Sequence, residues 1–209
     1  LALDPPNNHI LSHAIKSVFD RGFAVFALIL GAPLMALIAL GIKLDSRGPV
    51  IYRQERTGKD GIPFAIYKFR TMCEDAEDRV RELVGLSEGS GPLFKMTQDP
   101  RVTRFGRFLR QTSLDELPQL FNVLLGDMAL VGPRPALESE TSQYSQWVWR
   151  RLHVKPGMTG LWQVSGRSNL SWDESIRLDL MYVNNWNLKM DVAILFRTIG
   201  VVLSRKGAW

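Results

Sequence analysis

A single cysteine, Cys73, leaves this 209-residue chain without an internal disulfide or a cysteine metal cluster. Its three histidines, His9, His13 and His153, are too scattered for a catalytic dyad or a metal site, although His9 and His13 share helical spacing. No Gly-x-Gly-x-x-Gly and no Walker loop is present, so neither a Rossmann dinucleotide site nor a P-loop is supported. Internal repeats and low-complexity tracts are missing as well. Charge is absent from one long stretch: Gly22 to Ile42 is 21 residues without a charged side chain. That stretch lacks the small-x-small cleavage site of a signal peptide and is too long for its apolar region, so it is read as retained.

What is present is globular in character: 45% apolar and 22% charged residues, in a length that suits one domain plus a membrane element. The net charge of +5 and pI near 9.6 suit an anionic partner such as nucleotide phosphates, an anionic bilayer or nucleic acid. An ordinary solvated basic surface would give the same excess.

As a helix the uncharged stretch reaches about 32 Å, enough to cross a hydrocarbon core of ~30 Å. Two features argue against a simple span. Pro33 sits at its middle, where proline removes a backbone hydrogen bond and kinks a helix. Both flanks are basic, with Lys16 and Arg21 before it and Lys43, Arg47, Arg53 and Arg56 after it. Cationic flanks prefer the cytoplasmic side, and a bent helix entering and leaving through one leaflet satisfies both. The expectation is a re-entrant membrane helix within residues 1–43 and a cytoplasmic domain over 44–209, with a span and a buried core helix as alternatives.

The fold class expected is α+β: a mostly helical, membrane-associated domain with a small β-hairpin. Val50-Ile51-Tyr52 and Phe64 to Phe69 read as strands around a turn at Gly58 to Gly61. Cys73 to Leu83 reads as a solvated helix and Gly85 to Gly91 as a loop. Helical patterning dominates from Val102 to Leu125, Val131 to Pro135 is an extended turn, and 138–152 and 173–185 read as helices. Asp191 to Leu203 is an amphipathic helix suited either to the bilayer interface or to the domain core.

Three constellations bear on chemistry. Ser113-Leu114-Asp115-Glu116 fits a helix capping box, with Ser113 as cap and Glu116 folding back. Its neighbours suggest more, because Arg101, Arg104, Arg107 and Arg110 recur every third residue upstream, with Lys95 before them. Two carboxylates beside such cations would bind phosphate through a divalent metal. In Gly132-Pro133-Arg134-Pro135, two prolines fix the backbone around one arginine and present its fork for phosphate; a solvated arginine on a rigid turn is the plainer alternative. In Tyr67-Lys68-Phe69-Arg70-Thr71-Met72, alternation puts Lys68 and Arg70 on one strand face as a basic pair.

Taken in order, these segments resemble the bacterial sugar transferases, the monotopic polyprenyl-phosphate phosphoglycosyl transferases. The resemblance rests on the proline-centred apolar segment, Tyr67 to Met72, Leu114-Asp115-Glu116-Leu117-Pro118-Gln119-Leu120 and Gly126 to Pro135. It continues through Lys155-Pro156-Gly157-Met158-Thr159-Gly160-Leu161-Trp162-Gln163-Val164 and Leu178 to Val183. The closing Gly207-Ala208-Trp209 and the absence of an initiator Met suggest the catalytic portion of a larger member. One departure is Ala32-Pro33, where many members have Ser-Pro.

The resemblance implies Mg²⁺-dependent transfer of a phosphosugar from a UDP-sugar to undecaprenyl phosphate at the cytoplasmic face of the bacterial inner membrane. Asp115 matches the nucleophile, which would form an aspartyl-phosphosugar, and Glu116 a metal ligand or an aid to the acceptor. Lys68, Arg70, Arg110, Arg134, Asp179 and Asp191 are then phosphate, metal or sugar contacts. The sugar pocket is expected around residues 157–191. A homodimer and no nucleic-acid partner are expected too. The rival reading is a non-catalytic, membrane-anchored basic module that binds nucleic acid or acidic lipid.

Overall fold

The apolar stretch lies inside one 40-residue helix, α1 (Pro6–Asp45), with Pro33 in its interior. The computed structural model describes residues 6–76, 78–79, 96, 98–166 and 170–204, with side chains from residue 11 onward. The loop expected at 85–91, most of the helix expected from Cys73, and Lys95, Arg205 and Lys206 fall outside the described residues.

One stripe of α1 is covered and the rest is open. Asp20, Ala24, Ile38 and Ile42 are buried, with Ala27, Leu28 and Met35 partly buried along the same line. Steps of three and four residues keep these positions on one face. Phe19, Phe23, Phe26, Ile29, Leu30 and Leu34 face outward, followed by Leu37, Leu40 and Leu44. An outward apolar face of this size is what a soluble helix avoids. By length and composition this helix is a candidate membrane segment.

Strands β1 (Ile51–Thr57) and β2 (Pro63–Phe69) pair antiparallel, with Ile51 opposite Phe69 and Thr57 opposite Pro63. The first strand runs five residues beyond the expected end at Tyr52, through Arg53-Gln54-Glu55-Arg56. Its polarity hid it: Arg53 and Glu55 stand exposed, Gln54 and Arg56 are half-buried, and the pairing with β2 holds the backbone extended. Next come α2 (Arg104–Gln111), a 3-10 turn at Leu114–Glu116 and α3 (Gln119–Leu125). The continuous helical pattern expected over 102–125 is therefore broken. Ser113 adopts φ 56°, and Pro118 cannot donate a backbone hydrogen bond.

Strand β3 (Ala129–Val131) is followed by two short helices, α4 (Glu138–Thr141) and α5 (Gln146–Trp149), and a 3-10 turn at Arg150–His153. Residues 138–152 are thus three short pieces rather than one helix. Strand β4 (Gly157–Thr159) lies parallel to β3, and α6 (Leu161–Ser165), α7 (Trp172–Asn185) and α8 (Leu188–Ser204) complete the chain. A capping box does occur in this protein, at Ser171 and Glu174 at the start of α7. The architecture is mostly helical with two small two-stranded sheets.

Among the described residues, two of three apolar clusters tie α1 to the domain. The larger joins Ala24 of α1, Ile66 of β2, Leu120 and Val123 of α3, Leu130 of β3 and Ile194 of α8. The smaller joins Ile38 and Ile42 of α1 to Phe69 and Leu109. Each such aliphatic side chain contributes about 1.5–3 kcal/mol when fully buried. Helix α1 also closes on α2 at Gly41, where an added Cβ would stand 2.7 Å from the Phe105 ring. Substitution at Gly41 would require the Phe105 ring to shift.

Candidate active site

The site is assembled by two close crossings. Asn122 of α3, fully buried, donates from Nδ2 to the Ala65 carbonyl (2.7 Å) and accepts from the Tyr67 amide (3.0 Å). Its side chain thus occupies the edge of β2 and fixes α3, with the turn that precedes it, against the strand carrying Lys68. At the other crossing, a Cβ on Gly106 would lie 2.0 Å from the Thr71 carbonyl oxygen, so only glycine lets α2 pass the end of the hairpin. Arg110, one turn further on, donates from Nε to Thr71 Oγ1 at 2.9 Å.

Between these crossings lie Asp115 and Glu116. Ser113 does not cap them: it has left-handed backbone angles (φ 56°, ψ 18°) and makes no side-chain cap hydrogen bond. Strain of this kind costs about 1–3 kcal/mol and clusters at functional sites. Glu116 Oε1 instead accepts from Lys68 Nζ at 2.7 Å. Asp115 is half-buried, and its pKa is pushed up to about 6, first by burial and then by the charge of Glu116. Lys68 and Arg110 pull it back down. This is a crowded carboxylate pair opposed by two nearby cations, which favours a further cation or an anion-plus-metal ligand.

Arg134, between its two prolines, forms a two-pronged contact from Nη1 to Glu140 Oε1 (3.1 Å) and Oε2 (3.0 Å). Glu140 is fully buried, whereas the Arg134 side chain keeps a quarter of its surface open. Beside it stands Arg56, which sequence reasoning used only as a membrane flank. Arg56 donates to the Pro135 carbonyl (3.2 Å) and to Gln54 Oε1 (2.6 Å), while its buried Nε has no partner. Burial, and then repulsion from Arg134, push its pKa down to about 10. Strand alternation aligns Lys68, Tyr52, Gln54 and Arg56 on one hairpin face, which is the signal that could have found it.

The other expected site residues lie elsewhere. Arg70 is buried beyond the end of β2 and donates to Ser46, to its carbonyl at 2.9 Å and its hydroxyl at 2.8 Å. The expected basic pair of Lys68 and Arg70 is therefore split, because the strand ends at Phe69 and alternation stops with it. Arg101 pairs with Asp99, and Arg104 and Arg107 are exposed on α2.

Asp179 is buried on α7 against Arg151, with burial pushing its pKa up to about 6 and Arg151 pulling it down. Arg151, which sequence reasoning missed, also donates to the Tyr144 hydroxyl and the Arg134 carbonyl. Asp179 therefore bears on the arginine turn through Arg151. Asp191 joins α8 to α1: Lys16 Nζ lies 2.6 Å away, and Tyr182 and Trp186 both donate to it. His13 stacks on Trp186 at the same joint.

Fold and site define a class: an α+β domain with an apolar helix laid along it and a carboxylate pair set among cations for anionic chemistry. The chain belongs to the bacterial sugar transferase family, whose family model matches residues 11–205. It is 46% identical over 206 residues to the undecaprenyl-phosphate galactose phosphotransferase of Salmonella typhimurium, covering 95% of this chain and 42% of that one. It is 40% identical to the exopolysaccharide production protein ExoY of Rhizobium meliloti, covering 93% and 88% respectively. It is 38% identical to the UDP-glucose:undecaprenyl-phosphate glucose-1-phosphate transferase of Escherichia coli, covering 95% and 42%. The chain thus spans less than half the length of the Salmonella and Escherichia relatives.

Proposed function

We propose that this chain transfers a sugar 1-phosphate from a UDP-sugar to undecaprenyl phosphate, giving undecaprenyl-diphospho-sugar and UMP, at the first membrane step of exopolysaccharide, capsule or O-antigen assembly. The names of the relatives support the substrate class. The observation that carries the chemistry is Asp115, half-buried beside Glu116, whose own carboxylate is held by Lys68.

With a pKa of about 6, Asp115 is largely ionised at neutral pH and needs no base to act as a nucleophile. An Asp115 carboxylate oxygen attacks the β-phosphorus of the donor. As that bond forms, the bond from the phosphorus to the bridging oxygen breaks, and UMP departs with the oxygen and the electron pair. An oxygen of the lipid phosphate then attacks the same phosphorus and returns Asp115 as a carboxylate. One phosphoanhydride is lost and one is made, so no ATP is required. Arg110 and Arg134 hold fixed positive charge against the anionic donor.

Mg²⁺ fits the donor set. Among the described residues no group of three metal-binding side chains occurs. The ion would therefore be held by Asp115 and Glu116, with water and phosphate oxygens completing its shell. Bound there it would neutralise diphosphate charge. Glu116 has two candidate roles, as that ligand or as an aid to the acceptor phosphate.

In this reading α1 is a re-entrant helix on the cytoplasmic face of the inner membrane. On both sides of Pro33 it packs on the same domain, through Ala24 and Leu28 before it and Ile38 and Ile42 after it. The segment between presents Ile29, Leu30 and Leu34 outward, and a Cβ on Gly31 would meet nothing within 4 Å. A span would carry the two flanks to opposite faces. A homodimer is part of the proposal. The rival binding module finds no support: the relatives are named as transferases, and Lys16, Arg101 and Arg151 are each committed to a carboxylate of the protein itself.

The test is UMP release from a panel of UDP-sugars with undecaprenyl phosphate and Mg²⁺, comparing wild type with Asp115→Asn. Release that needs lipid, metal and Asp115 is expected. No release from any donor by folded, membrane-bound protein would overturn the proposal.

A further inference from the structure

The first half of α1 passes the C-terminal end of α3 at Gly126, and two cations converge there. A Cβ on Gly126 would stand 2.6 Å from Arg21 Nη2 and 3.4 Å from Lys155 Nζ, so both charges gather around one point. Gly126 has φ +94°, and its lack of a side chain leaves the room they occupy. Arg21 is placed by its neighbour: Asp20 is buried, pairs with Lys16 at 3.4 Å and accepts a hydrogen bond from the Leu130 backbone. Lys155 stands two residues before β4, whose pairing with β3 holds it in place.

Neither cation forms an ion pair among the described residues. The carboxylates that bear on Lys155 are Asp20, already paired with Lys16, and Asp127, which is exposed. Burial first, then the charges of Arg21 and Lys59, hold the Lys155 pKa below the ordinary lysine value. Like charges pressed together in this way are relieved by an anion. No step above uses either residue. The whole of α3, about 10 Å at 1.5 Å per residue, separates them from the turn that carries Asp115. A phosphate held here is therefore not the one attacked there.

What surrounds the pair is apolar and open. Val18 and Val25 stand three residues before and four after Arg21, on its face of α1, and are 74% and 41% exposed. Leu124 and Leu125, next to Gly126, are exposed as well. Arg21 also closes the charged part of the helix, since no charge follows it until Lys43. Cations at the edge of an uncharged run, ringed by open valine and leucine, match the surface of a bilayer. There headgroup phosphates meet the cations and acyl chains meet the apolar side chains.

We propose that Arg21 and Lys155 form a binding site for the headgroup phosphate of an anionic phospholipid, which fastens the first limb of α1 to the bilayer surface. This rests on the membrane placement of α1 above and not on the transfer chemistry. Arg21 offers its fork to two phosphate oxygens, and Lys155 adds a point charge. A zwitterionic headgroup brings a cation of its own, which this pair repels, so phosphatidylglycerol is favoured over phosphatidylcholine.

The experiment follows thermal unfolding of the full chain in neutral detergent during titration with phosphatidylglycerol, phosphatidylcholine, undecaprenyl phosphate or inorganic phosphate. Phosphatidylglycerol should stabilise wild type at a concentration roughly tenfold lower than phosphatidylcholine does. Arg21→Gln with Lys155→Gln should abolish that preference. Arg21→Lys with Lys155→Arg should keep most of it, which separates lost charge from lost packing. Arg104→Gln with Arg107→Gln removes two exposed cations of α2 and should change the preference by less than about twofold. No preference in wild type, or one that survives Arg21→Gln with Lys155→Gln, would overturn the proposal. An equal loss in the α2 variant would assign the effect to diffuse surface charge and overturn it too. So would inorganic phosphate acting as strongly as the lipid, or stabilisation by undecaprenyl phosphate that needs the same two residues. Failure is separable from that of the parent reading: a chain that resists carbonate extraction from membranes yet shows no preference keeps α1 in the bilayer and loses this site alone.

Discussion

Replacing Glu116 and replacing Lys68 should move the acid side of the activity profile in opposite directions. Asp115 rises from 3.8 to about 6, with burial the largest cause and Glu116 the second, while Lys68 heads the influences that lower it. Glu116→Gln removes the like charge and leaves burial, so the pKa should fall by roughly one unit, to near 5, worth ~1.4 kcal/mol. Lys68→Met removes the opposing charge and the 2.7 Å contact that holds Glu116, so the pKa should rise by roughly one unit, to near 7.

Only the ionised carboxylate attacks, so the rate climbs as pH rises through this pKa. At pH 6 the ionised share would be about half in wild type, about nine-tenths in Glu116→Gln and about one-tenth in Lys68→Met. The assay is a rapid-quench burst of UMP without lipid acceptor, measured across pH and scaled to each variant's own plateau. Scaling removes the drop in absolute rate that either substitution brings. A metal on the pair would lower all three limbs while keeping their order. Limbs that shift together, or do not shift, would refute an Asp115 tuned by these two neighbours.

Asp179→Asn should leave the Arg151 guanidinium buried without its counter-charge and lower stability by about 3–5 kcal/mol. Thermal unfolding in detergent checks this, and the double change Asp179→Leu with Arg151→Met should recover much of the loss. Gly157→Ala should push the arginine turn aside, because the new Cβ would stand 2.1 Å from the Gly132 amide nitrogen. Overpacking of this kind costs about 1–3 kcal/mol, and transfer activity should fall further than stability alone explains. Tyr182→Phe should loosen the joint between α1 and α8, since it removes the hydroxyl that donates to Asp191, and should lower thermal stability by about 1 kcal/mol.

The parts legible in the sequence are those written in local pattern. Alternation and a glycine turn marked the hairpin, an uncharged run with a central proline marked α1, and an apolar face at helical spacing marked α8. The carboxylate pair stood out because basic residues surround it along the chain. What stayed hidden depends on contacts between distant segments. Asp179 and Arg151 are 28 positions apart, and nothing near either one announces the other. Asn122 reads as an unremarkable helix residue until β2 is alongside to accept its amide. Ser113-x-x-Glu116 follows the capping-box pattern, yet Lys68, 48 positions away, draws Glu116 off and leaves Ser113 left-handed. Arg70 was misjudged by one residue of strand length, since alternation holds only while the ladder lasts.

The most direct measurement is to trap the first half-reaction. The protein in nanodiscs is mixed with Mg²⁺ and a UDP-sugar labelled in the sugar, without lipid acceptor, then quenched and digested for peptide mass spectrometry. One sugar phosphate on the peptide carrying Asp115, formed together with UMP and discharged by added undecaprenyl phosphate, is the expected result. Product formation with label never found on Asp115, or undiminished in Asp115→Asn, would contradict a covalent aspartyl mechanism.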